Sequence, residues 1–395
     1  MYWIKPKSFQ WAVTTTLALR LGVSAVLALG WTAIRPFIAS VLSQLGENPL
    51  FPVSYSAWGE AFLGIWNRYD GYRYFLLASR GYQDPANIAN TVFYPLYPML
   101  IRLIWKLTGL DIIAISLILS TLTTFFALYL LALTVEDLYG SQSAKYAVIS
   151  LAIYPTAFFL VGPYTESLFI ALTLAAFYLA RKERWLLAGL AGAFASLTRG
   201  PGIFTAFALT WMAYHQWRSR GFAWSPQLIL SAFGAAAPGL AGLGFILWRR
   251  WMGFAPVAEV LEQHFSVRMV NPITGLFTAW QMMFTNPTFS VILDGLTAAF
   301  WIAIFIILIK KAGRIPVEWL IYFGLNLVMV TSKVTTVVSP LQSIGRYVLV
   351  LFPGFIFLGE WLACLTPRQR FWYIVASSTL LFAFCGLYVI GFFVG

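Results

Sequence analysis

Apolar runs of membrane-spanning length recur along almost the whole chain, and they leave room for little except helices in a bilayer. A spanning helix needs roughly 20 mostly apolar residues. Runs that meet or approach this length lie near 12–36, 112–134, 146–162, 165–181, 185–198, 201–217, 227–249, 290–309, 316–331, 344–363 and 371–394. They predict an all-α integral membrane protein with about eleven transmembrane helices, residues 1–395 forming one polytopic domain. Composition agrees, with 60% hydrophobic and only 10% charged residues and a mean hydropathy of +0.77. Soluble domains carry roughly 25% charged residues, so the polar surface here is too small to cover a soluble body.

The loops give an orientation. With Lys5 and Lys7 on the cytoplasmic side, the same side receives Arg181-Lys182-Glu183-Arg184, Arg218 and Arg220, Lys310, Lys311 and Arg314, then Arg368 and Arg370. Recurrent basic clusters on one face follow the positive-inside rule. The 135–145 loop, with Glu136, Asp137 and Lys145, is a neutral exception on that side. The count requires that Phe93–Lys106 does not span. Its two prolines, Pro95 and Pro98, resist a regular helix and suit an interfacial or re-entrant segment. Two long outer loops follow, 37–111 and 250–289, both rich in Trp, Phe and Pro and expected to lie on the membrane as amphipathic helices.

The net charge of +12 sits mostly in short loops between apolar runs, which accounts for it by membrane orientation; no nucleic-acid partner is expected. Cys364 and Cys385 both fall inside apolar runs and read as packing residues, not as a disulfide framework or metal site. No cleavable signal peptide, Walker or dinucleotide glycine motif is evident, and no outward Asp-x-Asp pattern for a nucleotide sugar.

A few charged residues stand out against this apolar background. Asp70 lies in Trp66-Asn67-Arg68-Tyr69-Asp70-Gly71-Tyr72-Arg73-Tyr74, one of only 14 acids in the chain, between two arginines. Arg68 and Arg73 are expected to hold it ionised, either as a structural ion pair or as a general base toward a hydroxyl. Arg199 sits in the turn Thr198-Arg199-Gly200-Pro201-Gly202 between two short helices. A charge at membrane depth costs about 3 kcal/mol on insertion scales, so it either binds a partner such as phosphate or snorkels to the headgroups. Glu166, with Tyr164 in Gly162-Pro163-Tyr164-Thr165-Glu166-Ser167, opens a helix; it reads as dipole chemistry, as an acceptor for sugar hydroxyls, or as the partner of an arginine. Arg346 and Tyr347 begin an outward helix end and either hold phosphate or anchor the interface. Arg249 and Arg250 end a helix on the same side, and Gln263 and His264 lie in the second outer loop as acceptor contacts or solvated surface. Two histidines in the whole chain give no metal spacing, and no metal or cofactor is expected. A donor carrying phosphate without a nucleotide fits these features, with a lipid-linked sugar reaching the site through the membrane.

These residues, taken in order, resemble a family. Arg68-Tyr69-Asp70-Gly71 followed by Ala78-Ser79-Arg80-Gly81-Tyr82, then Phe93-Tyr94-Pro95-Leu96-Tyr97-Pro98, look like elements of the PIG-V-type mannosyltransferases. Tyr154-Pro155-Thr156-Ala157-Phe158-Phe159 through Glu166-Ser167, Leu197-Thr198-Arg199-Gly200-Pro201-Gly202, and Arg346-Tyr347 through Phe352-Pro353 follow in sequence. The resemblance covers about residues 66–353 and departs at Tyr69, where Trp is usual, and at Gly200, where Pro often follows the arginine. It implies a GT-C-type multi-helix bundle in the cell membrane with an extracytoplasmic active site. It further implies a polyprenyl-phosphate mannose donor, inverting transfer to a glycolipid or protein acceptor, and Asp70 as base. Arg199, Glu166 and Arg346 match motif positions. The family acts in GPI-anchor assembly in eukaryotes; this chain is short for that role, and its Asn286 sequon is blocked by Pro287, so it looks more like a bacterial relative. A GT-C enzyme using another sugar, a transporter or flippase for lipid-linked sugars, and a non-catalytic transferase subunit are the rival readings.

Overall fold

In the computed structural model, which describes residues 5–44, 56–335 and 337–392, 81% of the described residues are helical. The first helix, α1 (Pro6–Gln44), is followed by a polar-aromatic segment holding α2 (Ala57–Phe62), α3 (Tyr69–Arg80) and α4 (Leu96–Thr108). The central bundle contains α5 (Ile112–Ala152), α6 (Phe158–Val161), α7 (Glu166–Arg181), α8 (Trp185–Thr198), α9 (Phe204–Ser219) and α10 (Pro226–Trp251). A second polar-aromatic segment carries α11 (Val257–Phe265), β1 (Val267–Met269) and α12 (Pro272–Thr285). The chain then forms α13 (Phe289–Lys310), α14 (Val317–Thr331), β2 (Lys333–Thr335), α15 (Ile344–Tyr347), α16 (Phe352–Cys364) and α17 (Pro367–Val389).

Among the described residues five helices, α1, α5, α10, α13 and α17, are long and apolar enough to cross a membrane. A sixth span results if α15 and α16 are taken together, although they are bent 79° apart. Between 28% and 50% of each apolar window in the five is buried, so broad apolar faces such as those of Leu21, Leu29, Phe233 and Leu240 are left for lipid. The eleven expected crossings are not reproduced as eleven long helices. α7, α8, α9 and α14 have 16, 14, 16 and 15 residues. At 1.5 Å per residue they reach only about 21–24 Å, short of the roughly 30 Å hydrocarbon core.

Three expectations are corrected in detail. The run 146–162 is not one helix: α5 stops at Ala152, and the chain turns at Tyr154-Pro155 before α6, because proline cannot continue a helix. The run 344–363 breaks at Leu351, just before Pro353. The 135–145 loop is helical on both sides of a single break at Gly140, whose φ of 84° suits glycine. Further, α1 continues to Gln44, beyond its expected end at 36, so the segment expected as the first outer loop starts later; its residues 45–55 lie outside the described ones.

Caps and close contacts set the helices. Asp111, Ser225, Thr288 and Thr366 accept from backbone N–H groups at the starts of α5, α10, α13 and α17. α8 lies against α10 through small residues: a Cβ on Gly189 would fall 2.7 Å from the Gly234 Cα. An antiparallel two-stranded ladder, absent from the sequence reading, pairs Val267 with Thr335 and Met269 with Lys333. It ties the second polar-aromatic segment to the chain leaving α14.

Candidate active site

The starts of α3, α7 and α15 and the end of α8 converge at one end of the bundle. α3 begins at a strained point. Arg68 is extended (φ −139°, ψ 157°), and Tyr69 enters the helix with φ at 52°. A bulky residue in that left-handed region costs about 1–3 kcal/mol and persists only where its surroundings over-determine it. Here the Tyr69 hydroxyl donates to the Gly391 carbonyl at 2.5 Å, and its ring packs 5.6 Å from that of Tyr388. The result is to present Asp70 in the first turn of α3, at the positive end of the helix dipole. Gly71 is the next requirement: a Cβ there would sit 2.9 Å from Pro163 Cγ and 3.0 Å from the Trp66 carbonyl oxygen. Glycine therefore lets the Asp70 turn lie directly on the loop that leads into α7.

That loop delivers Glu166, whose side chain is 0% exposed. It is flanked by two arginines from distant helices. Arg199, extended at the end of α8, bonds Glu166 Oε1 and donates to Thr165 Oγ1 at 3.0 Å. Arg346 places Nε 3.0 Å from Glu166 Oε1 and Nη1 2.7 Å from Asp70 Oδ2. These two Arg346 contacts are ion pairs by distance and not aligned hydrogen bonds. Thr156 fixes the last partner by donating to the Gly345 carbonyl at 2.6 Å, which joins the Tyr154-Pro155 turn to α15. Burial pushes the Tyr74 hydroxyl pKa upward, and that hydroxyl lies 3.4 Å from Thr165 Oγ1.

The network separates its two acids. Glu166 is sealed between arginines, whereas the Asp70 side chain keeps 22% of its surface exposed. Of the two, Asp70 is the one that an arriving molecule can reach.

The other candidate residues distribute unevenly. Arg68 does not face Asp70; it donates to the Tyr388 and Val389 carbonyls at 3.1 and 2.8 Å and lies over Trp31, anchoring α3 to the end of α17. Arg73 donates to Asn90 Oδ1 at 3.0 Å and stacks over Phe265 at 4.5 Å. Burial lowers the Arg73 pKa, with the Asp70 charge opposing it. The cation against Asp70 is therefore Arg346, remote in sequence, instead of either flanking arginine. Tyr164 is fully buried beneath Arg346, with its hydroxyl 3.4 Å from that of Tyr388. Gln263 and His264 are exposed on α11, where Gln263 bonds Glu259; neither joins the network. Arg249 is buried but donates to the Thr91 and Ala255 carbonyls, a fastening role that its sequence position did not reveal.

Sequence reasoning missed Lys333. It follows α14 in a Ser/Thr-rich stretch, Thr331-Ser332-Lys333-Val334-Thr335, with no motif to mark it. Its Nζ lies 3.6 Å from the centre of the Tyr347 ring, around which Arg346 and Arg199 also gather at 5.2 and 5.3 Å.

Among the described residues no three His, Cys, Asp or Glu side chains converge as metal ligands. No known protein family and no characterised protein matches this chain. The site offers a reachable carboxylate beside a guanidinium, backed by a buried acid–arginine lattice and an additional cation.

Proposed function

We propose that this protein is a membrane glycosyltransferase of the PIG-V mannosyltransferase type, with a GT-C-type bundle of about eleven crossings. The observation that carries this reading is the partly exposed Asp70 carboxylate set 2.7 Å from Arg346 at a cation-rich site. Asp70 takes the proton of an acceptor hydroxyl, whose oxygen forms the new bond to the anomeric carbon from the face opposite the leaving group. The anomeric carbon–oxygen bond to the lipid phosphate breaks, and its electron pair leaves on the phosphate oxygen, with inversion. The ion pair with Arg346 uses Oδ2, which leaves Oδ1 to accept the proton. Positive charge fixed beside the leaving oxygen lowers the barrier without reorganisation.

The charge distribution supports an extracytoplasmic site. α7 runs from Glu166 at the site to Arg181 and Lys182 at the other end, where Lys5, Arg220 and Arg314 also lie near acids or helix ends. A basic end is the cytoplasmic end under the positive-inside rule. The short α7, α8, α9 and α14 fit crossings completed by non-helical chain. Such chain is tolerated at membrane depth where it lines a cavity or is buried in protein. A recessed site of this kind suits a polyprenyl-phosphate donor entering sideways from lipid and a glycolipid or protein acceptor.

The test is transfer by purified wild type and Asp70→Asn from radiolabelled polyprenyl-phosphate mannose into a native lipid and protein extract. Label entering a new product with wild type alone is expected. Failure of every polyprenyl-phosphate sugar to serve as donor, with folded protein, overturns the reading; normal turnover by the variant overturns the role of Asp70.

A further inference from the structure

The charges around Tyr347 do not balance. Three cations surround its ring, Lys333 at 3.6 Å, Arg346 at 5.2 Å and Arg199 at 5.3 Å. Two acids answer them, and both are already engaged. Glu166 pairs with both arginines and Asp70 with Arg346, so the four groups together are neutral. Lys333 is left over: among the described residues no carboxylate oxygen lies within 4.0 Å of its Nζ. Asp294 is the remaining acid whose field reaches it, from beyond ion-pair distance.

An ammonium held in a half-buried site without a counter-ion is unfavourable unless an anion arrives to pair with it. Burial depresses the Lys333 pKa and the Arg346 and Arg199 charges add to the depression, while Tyr347 opposes it through its charge and a side-chain hydrogen bond; that phenol is a polar contact and not a carboxylate counter-ion. The position is also fixed from the backbone, because Lys333 pairs with Met269 in the β1–β2 ladder. Replacing its side chain leaves that ladder in place.

We propose that Lys333 is the residue that binds the phosphate of the lipid-linked donor, with Arg346 and Arg199 committed chiefly to the two acids. This rests on the glycosyltransferase reading and deepens it. A sugar phosphodiester brings one negative charge, which equals the surplus. When the sugar departs, the phosphate gains a second charge next to a fixed ammonium, so Lys333 also stabilises the leaving group.

Binding separates this assignment from the reading beneath it. Wild type, Lys333→Gln and Lys333→Arg in lipid nanodiscs are titrated with undecaprenyl phosphate, phosphatidylglycerol and inorganic phosphate, following intrinsic tryptophan fluorescence. Donor KM and kcat are measured in parallel. The expected result is undecaprenyl phosphate affinity weakened roughly ten- to a hundredfold in Lys333→Gln, the worth of one hydrogen bond to a charged group. Lys333→Arg should restore most of it, phosphatidylglycerol should not compete, and donor KM should rise more than kcat falls. Equal binding by wild type and a folded Lys333→Gln overturns the assignment and leaves the transferase reading standing. Equal competition by phosphatidylglycerol or inorganic phosphate overturns it in favour of a general anion site. Absence of polyprenyl phosphate binding by wild type overturns the underlying reading, and the assignment with it.

Discussion

At one end of α7, Glu166 is enclosed by Arg199 and Arg346; at the other, Arg181 and Lys182 reach Glu318 and Asp137 at 3.5 Å with side chains 25% and 47% exposed. Both ends join cations to acids across distant helices. They differ in what water can do. At the Lys182–Asp137 pair, with side chains 47% and 32% exposed, solvent screens the charges and replaces a lost partner, so the contact biases orientation and little else. At the enclosed end nothing replaces a lost partner, and the charges hold one another in place. A lattice of that kind is weak evidence for stability, because apolar packing often does as well. It is stronger evidence that the geometry of Asp70 and Arg346 matters.

The comparison is broken most forcefully at Glu166. Glu166→Ala should strip both arginines of their shared acid and destabilise the protein by about 3–5 kcal/mol, read as a lower unfolding temperature in detergent. A loss no larger than that of an exposed pair would show that the two ends are alike. Second comes Asp70→Asn, for which transfer should fall on the order of 10²–10⁴-fold, while the unfolding temperature falls less than in Glu166→Ala because Asp70 is partly exposed. Third, Gly71→Ala forces α3 away from Pro163 and Trp66; displacement near an ångström should reduce turnover roughly a hundredfold while the exposed end is unaffected. The smallest effect belongs to the exposed end. Asp137→Asn should cost about 0–1 kcal/mol and shrink further in high salt.

A pH titration sharpens the same contrast. Burial lowers the Lys5 pKa, yet the hydrogen bond and charge of Asp137 and the charge of Glu136 outweigh it, and the net direction is upward from 10.5. A raised lysine contributes its stabilisation fully below its unfolded pKa and loses it as pH rises through the folded one. The contribution of Lys5 should therefore persist through neutral pH and fade only in the alkaline range above 10.5, a step that Lys5→Met removes from the stability profile.

Much of this was legible in the sequence, for stated reasons. Long apolar runs announced α1, α10, α13 and α17, because the bilayer sets a length that composition reveals. Asp70, Glu166, Arg199 and Arg346 stood out as rare charges in apolar surroundings. Their mutual pairing did not, since partners that come together from α3, α7, α8 and α15 leave no spacing to read. Neighbours in sequence misled in the same way: Arg68 and Arg73 flank Asp70 in the chain, but α3 turns them toward α17 and toward Asn90 and Phe265. Lys333 was invisible because its importance comes from a three-residue ladder too short to signal itself. The broken runs at Tyr154-Pro155 and before Pro353 carried a local sign, proline, that overall hydropathy outweighed.

The Asp70–Arg346 contact also has a consequence for synthesis. Chains are made and begin folding from the N-terminus. Asp70, Glu166 and Arg199 therefore emerge well before Arg346, and the carbonyls of Tyr388 and Val389 that receive Arg68 emerge last of all. Until then Glu166 has Arg199 alone, Asp70 lacks the arginine that pairs with it, and the strained entry into α3 lacks its anchor on Gly391. The reactive arrangement thus comes together only when the final helices are inserted, so an unfinished chain holds the carboxylate but not the machine around it.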